Sequence, residues 1–248
     1  MAQLALTNAI VLLSKGSPIA LSYFRTKYLL GDIACKIVFY LQRVSRGNSI
    51  CTTCLLSTFQ AIIISPSNSK LAKFKVRAPK YISPSCVLCW VLNLLVDNNV
   101  LISISGLKNN NTSHRSGVNL LYCYCENTNI GIIVLPSLRD ILFMGCMGCT
   151  SGYMVLLLYR HHQKLKHIHG SSLSPRISPE MKITRTILVL VGTFILTFSI
   201  SWGLALYNVH MIHSTVNLVN VSAIIILSFP SLSPFLLIRR DMLVPRFC

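Results

Sequence analysis

Acidic residues are nearly missing from this chain, which has six Asp and Glu against 23 Lys and Arg in 248 residues. Charge of either sign is scarce: 12% of the residues are charged, where a water-soluble domain carries about 25%. A folded surface cannot be dressed for water with that supply. Hydrophobic residues make up 52% of the sequence and mean hydropathy is +0.60, so a soluble globular domain is excluded and membrane is the first reading. The net charge of +17 would suggest nucleic acid on a soluble chain. Here the basic residues sit in short blocks between apolar runs, with no interleaved aromatics. The preference for positive cytoplasmic loops produces such blocks, and nucleic acid is not expected as a partner.

Other absences narrow the function. The two halves show no internal repeat and no matching broken helices, which argues against a multi-span transporter. No catalytic constellation is visible, so no enzyme is expected. His161, His162, His167 and His169 cluster in a basic segment with no nearby Asp and only Glu180 as a carboxylate. That cluster reads as a solvated loop, with no metal site and no cofactor. Three cysteine pairs have the spacing of zinc ligands, Cys51/Cys54, Cys86/Cys89 and Cys146/Cys149. All lie within apolar helices, where a thiolate is costly and residues i and i+3 merely share a face. They are expected to pack as small hydrophobes.

What is present is a series of apolar segments, near residues 1–14, 33–64, 82–105, 129–158, 183–209 and 216–238. A spanning helix needs about 20 mostly apolar residues, and every segment but the first is long enough. The first is apolar only from Leu4 to Leu13, with no Lys or Arg before it and no small-residue cleavage site after it, so it does not read as a signal peptide. It is expected to be a helix whose start has been cut off. One side of the membrane collects 14 Lys and Arg in the connections and the other collects 5. The richer side should be cytoplasmic. Six segments then leave both ends in the cytoplasm, and one further helix upstream would complete seven. The expected fold is all-α, a polytopic membrane helical bundle of seven-helix receptor architecture lacking the first helix, with residues 1–248 as one domain.

The opposite face should be extracellular. Asn110 and Asn111 begin overlapping glycosylation acceptors in its polar loop. Cys35 stands at the outer entry of the second segment, and Cys123 and Cys125 stand in the loop before residue 129. An oxidising exterior preserves a bridge between them. Cys35–Cys123 is the expected pair, with Cys125 the competing partner.

Ionisable side chains at membrane depth are costly and tend to be functional. Lys36, Arg43 and Arg46 lie in the second segment, Asp97 in the third, and Arg139 with Asp140 in the fourth. Arg43 and Arg46 share a helix face, and either could pair with Asp97 or with Asp140. Pro136 interrupts the fourth segment, and Pro230 and Pro234 interrupt the last. An internal proline removes a backbone hydrogen bond and kinks a helix, which makes these positions candidate hinges.

Several long runs resemble one family. Gly31-Asp32-Ile33-Ala34-Cys35-Lys36, followed by Phe39-Tyr40-Leu41, is similar to the start of the third helix in vomeronasal type-1 receptors, which are G-protein-coupled pheromone receptors. LLSTFQAIIISPSNSK (55–70) and KVRAPKYI (75–82) resemble that family's third-helix exit and second cytoplasmic loop. SLRDILF (137–143) with YRHHQKLKHIHGSSLSPRISPE (159–180), and LVNVSAIIILSFPSLSPFLLIRRD (218–241), resemble its fifth helix with third cytoplasmic loop and its seventh helix. Two departures stand out. Gln42 occupies a place where the family has histidine, and the loop between Cys125 and Pro136 is shortened.

The resemblance implies a chemosensory receptor in the plasma membrane that binds a small pheromone-like molecule and activates a heterotrimeric G protein of the inhibitory class. By the same analogy Cys35 and Cys123 are the bridged outer cysteines. Lys73, Lys75, Arg77, Arg160, Lys164 and Lys166 would face the G protein, and the C-terminus would be cytoplasmic. Arg43, Arg46, Pro230 and Pro234 are then candidate switch residues. A non-signalling fragment of such a receptor is the alternative.

Overall fold

Backbone polar groups have no water to bond inside a bilayer, so an apolar segment that enters it closes its hydrogen bonds as a helix. The computed structural model of the chain describes residues 2–18, 31–66, 72–75, 77–106, 118–120, 123–125, 130–168, 179–210, 221 and 224–235. Helix α1 (Ala2–Val11) runs on into a π-helical turn at Leu12–Gly16. It is followed by α2 (Asp32–Ile64), the single turn α3 (Ala72–Lys75), α4 (Ala78–Val96) and the short α5 (Val100–Ser103). Then come α6 (Ile130–Ile168), α7 (Pro179–His210) and α8 (Ile224–Phe235). Among the described residues four stretches are long and apolar enough to cross a membrane: Asp32–Ile64, Ala78–Ser103, Val134–Arg160 and Thr184–Leu204.

Two elements differ from the sequence reading. The segment YRHHQKLKHI, read as part of a solvated loop, continues α6 to Ile168. Lys, Arg, Gln and Leu are good helix formers, and no glycine intervenes before Gly170. The loop between α5 and α6 carries a small antiparallel sheet, β1 (Ile104–Gly106), β2 (Val118–Leu120) and β3 (Cys123–Cys125), in the order β1-β3-β2. Cys123 pairs with Gly106 on one side and Leu120 on the other, so the cysteine of the outer loop sits in the central strand.

The chain forms two compact units, Ala2–Cys51 with Cys86–Leu142 and Thr52–Ser85 with Phe143–Cys248. Helices α2, α4 and α6 each contribute residues to both. In the first unit α1 is tied by Ser49 Oγ donating to Asn8 Oδ1 at 2.8 Å and Trp90 Nε1 donating to Gln3 Oε1 at 3.0 Å. Cys35, Val100, Ile104 and Cys123 form a buried cluster on which Phe39 packs. In the second unit α7 presents Ile187, Leu190, Val191, Phe194 and Phe198 as a buried stripe, the spacing of one helical face. Phe229 of α8 meets Phe194 edge to face with ring centroids 4.5 Å apart. Along α7, Thr193, Thr197 and Ser201 donate their hydroxyls to carbonyls one turn back, which satisfies them without a tertiary partner.

Polar and apolar residues are arranged opposite to a soluble protein. Asn93 and Asp97 are 0% and 1% exposed, while Leu95 between them is 71% exposed. On α6, Arg139 and Asp140 are buried and Leu138, Ile141 and Leu142 face outward. Lipid accepts leucine freely and rejects charge, so the chain turns its ionisable groups inward.

A buried ion cluster as candidate functional site

The first unit brings two helices together along a ladder with a four-residue step. Arg43, Gly47 and Cys51 follow one another on α2, each one turn from the last. Cys89 and Asn93 do the same on α4, and Asp97 extends the row just past its end, where its N–H still bonds Asn93 O at 3.1 Å. Residues four apart share a helix face, and because the helices run in opposite directions the rows meet in reverse order. Arg43 Nε lies 4.0 Å from Asp97 Oδ1. Gly47 stands where an added Cβ would collide with Asn93 Oδ1 and the Arg139 guanidinium. Cys51 is bonded to Cys89, with Cα atoms 6.1 Å apart.

Arg139 of α6 enters this ladder and is the main counter-ion of Asp97. Its Nη1 donates to Asp97 Oδ2 at 2.7 Å and to Asn93 Oδ1 at 2.8 Å. On the other side of the guanidinium, Nε donates to Asp140 Oδ1 at 3.0 Å and Nη2 lies 2.9 Å from the same oxygen. Asn93 is itself fixed, its Nδ2 donating to Cys89 O at 2.6 Å. The planar fork of an arginine suits such multiple contacts, which a point-like lysine charge could not make. The Tyr40 hydroxyl, one helical turn before Val44, donates to Leu94 O at 3.0 Å. Arg46 is partly buried and lies within electrostatic reach of Asp97, Asp140, Arg43 and Arg139.

These contacts correct the sequence reading in two places. Arg43 does approach Asp97, but the short contacts come from Arg139, which the sequence reading placed beside Asp140 without pairing it. Adjacent residues on a helix diverge by about 100°, yet the long arginine side chain folds back to hold its neighbour and a second helix together. The expectation that the CxxC pairs only pack is overturned for Cys51 and Cys89, which bond across helices and not within their spacing. A glycine one turn away lets the two backbones approach closely enough for a bridge. Cys54 is a buried free thiol, and Cys146 and Cys149 are exposed free thiols, with Cys146 Sγ still 4.0 Å from Thr58 Oγ1 of α2.

The remaining expected residues are spread widely. Cys35 and Cys123 are bonded with Cα atoms 6.0 Å apart and both fully buried. Cys125 pairs through its backbone with Ile104 and Val118. Lys36 reaches Asp32 at 3.5 Å along its own helix. Lys75 and Arg77 are exposed at the end of α3, with Lys73 on the same turn, and Arg160 is exposed on α6. Lys164 and Lys166 lie further along α6. Asn110 and Asn111 fall outside the described residues. Helix α8 continues through Pro230 and Pro234. Pro234 lacks the N–H that would bond the carbonyl of Pro230, and Ser233 Oγ donates to that carbonyl at 3.3 Å. A hydroxyl thus replaces the donor that proline removed.

Apolar helices that share a buried ion cluster and a bridged loop occur in many membrane proteins, and sequence comparison decides among them. The profile of the Vomeronasal organ pheromone receptor family matches residues 1–248. The chain belongs to that family. It is 42% identical over 244 residues to Vomeronasal type-1 receptor 4 of Pongo pygmaeus, an alignment covering 96% of this chain and 80% of that one. To human Vomeronasal type-1 receptor 4 it is 40% identical over 249 residues, covering 99% of this chain and 82% of the relative. Vomeronasal type-1 receptor 90 of Rattus norvegicus is 35% identical over 241 residues, covering 92% and 74%. The protein is therefore a multi-pass membrane receptor of the pheromone type and not an enzyme.

Proposed function

We propose that this vomeronasal-type receptor binds a small pheromone-like molecule among its helices and passes the signal to a heterotrimeric G protein of the inhibitory class. Membership of the pheromone receptor family over the full 1–248 range carries the reading, with those residues acting as one receptor domain. The buried cluster supports it, because ionisable groups are kept inside a bilayer where they serve a pathway, a relay or a ligand. A ligand shifts a receptor only as far as it prefers one arrangement of the helices over another. Arg43, Arg46, Pro230 and Pro234 are the switch residues of this proposal. Arg43 Nε lies 4.0 Å from Asp97 Oδ1, and Pro230 keeps its carbonyl through a serine hydroxyl rather than a backbone donor.

The basic segments around Lys73, Lys75 and Arg77, and around Arg160, Lys164 and Lys166, face the G protein. The C-terminus is cytoplasmic, and Asn110 and Asn111 carry glycan at the plasma membrane. The test is to express the chain with a C-terminal tag and measure nucleotide exchange on a purified inhibitory-class heterotrimer added to the membranes. Exchange that rises with receptor density, with a glycosidase-sensitive band and a tag reached only after permeabilisation, is the expected result. A receptor that matures at the surface yet never raises exchange overturns the coupling.

A further inference from the structure

We propose that the Cys51–Cys89 disulfide is a redox-sensitive clamp that sets the register of α2 against α4 and so holds the arginines on Asp97. In lipid no hydrophobic force presses one helix on another, so register depends on close packing and polar or covalent ties. The rungs of this ladder are unequal in that respect. Gly47 has no side chain to interlock with Asn93, and Arg43 stands 4.0 Å from Asp97, beyond hydrogen-bond range. Among these three rungs the covalent one alone cannot slide without breaking a bond, and the Tyr40–Leu94 hydrogen bond at 3.0 Å acts beside it.

A displacement of Cys89 is also passed directly to the charges. Its carbonyl accepts from Asn93 Nδ2 at 2.6 Å, Asn93 Oδ1 accepts from Arg139 Nη1 at 2.8 Å, and the same Nη1 holds Asp97 Oδ2 at 2.7 Å. Both cysteines are within apolar spans and 3% and 5% exposed, so a membrane-permeant dithiol reaches them where a charged one does not. Opening proceeds by exchange. One thiolate of the dithiol attacks a bridge sulfur, the mixed disulfide is resolved by its second thiolate, and the cysteines leave as two thiols while the dithiol closes to a cyclic disulfide. Two electrons and two protons pass from the dithiol to the cysteines. Closing is the reverse exchange with a membrane-permeant disulfide as oxidant, which takes up the two electrons and two protons and leaves as two thiols.

The test needs neither ligand nor G protein, so it can fail while the proposed coupling stands, and the reverse. Trp90 is next to Cys89, and replacing Trp202 with Phe leaves it as the sole tryptophan, since the chain has two. The full chain carrying Trp202→Phe is placed in phosphatidylcholine nanodiscs. Peptides are mapped by mass spectrometry after alkylation in the intact membrane, and Trp90 emission and the thermal midpoint are followed with and without dithiothreitol. The linked Cys51–Cys89 peptide is expected before reduction and two thiol peptides after it, with a shift in Trp90 emission. Cys51→Ser combined with Cys89→Ser should show that shift without reductant and no further change of Trp90 when dithiothreitol is added. Arg43→Gln should lower the midpoint with the bridge closed and lower it by half as much or less with the bridge open. If the doubly substituted chain does not accumulate, the same cycle is run on the bridged chain and its Arg43→Gln variant before and after dithiothreitol. Recovery of Cys51 and Cys89 as free thiols from untreated membranes overturns the clamp. An Arg43→Gln effect that is the same with the bridge open and closed overturns it equally.

Discussion

The two compact units solve the same problem, polar groups inside an apolar solvent, by different chemistry. Ala2–Cys51 with Cys86–Leu142 holds both disulfides and the cluster of Arg43, Asn93, Asp97, Arg139 and Asp140. Thr52–Ser85 with Phe143–Cys248 holds uncharged pairs: Ser57 with Thr150 at 2.7 Å, Gln60 with Thr184 at 3.2 Å and Ser65 with Tyr153 at 3.0 Å. A buried charge stripped of its partner is a severe loss, whereas a hydroxyl can turn to the carbonyl one helical turn back. Thr150 already does so, donating within reach of Cys146 O at 3.0 Å and Met147 O at 3.1 Å. Exchanging partners is therefore costly in the first unit and cheap in the second.

Breaking the ion cluster should have the largest effect. Arg139→Ala strands Asp97 and Asp140 and should cost about 3–5 kcal/mol, read as a fall in the thermal midpoint and loss of surface receptor. Asp97→Asn keeps the hydrogen-bonding oxygen for Arg139 and should cost clearly less in the same assay. Next comes Cys123→Ser, which opens a bridge spanning 88 residues. A disulfide typically contributes about 2–4 kcal/mol, and the loss is measured by unfolding in detergent with the oxidised, unsubstituted chain as reference. Gly47→Ala tests the close approach of α2 and α4. Its methyl group meets Asn93 Oδ1 and Arg139, and overpacking of this kind costs about 1–3 kcal/mol. A tolerated Gly47→Leu would show that the helices are not in contact at this rung. The smallest effect should come from the second unit, where Ser57→Ala removes one interhelical hydrogen bond of about 0.6 kcal/mol. Were Ser57→Ala to destabilise as much as Arg139→Ala, the contrast between the units would fail.

Much of the fold is legible in sequence because its causes are local. The apolar run from Ile33 to Ile64 is helical whatever it packs against, and α2 begins one residue earlier, at Asp32. The same holds for α7, predicted over 183–209 and found over Pro179–His210, where proline at the first helical position and Glu180 in the first turn suit a helix start. The strand carrying Cys123 was not legible, since three residues are too few to show a period. Helix α6 runs past Leu158 because composition allowed a helix that the end of hydrophobicity concealed.

Pairing across helices depends on rotation and register, which no single segment encodes. Arg43, Gly47 and Cys51 lie on one face by spacing alone, and so do Cys89, Asn93 and Asp97, so both rows could be written down from the sequence. That the rows oppose each other in reverse, joining Cys51 to Cys89, follows only once α2 and α4 are packed antiparallel. By itself the sequence determined that the chain lies in a membrane, which apolar runs are helical and which family it belongs to, because hydropathy and long matching motifs are properties of the chain. Tertiary structure alone decided that Arg139 is the counter-ion of Asp97 and that a second disulfide sits beside it. Those contacts arise from the meeting of three separate helices, and the free energy that selects one partner among several nearby charges exists only after they meet.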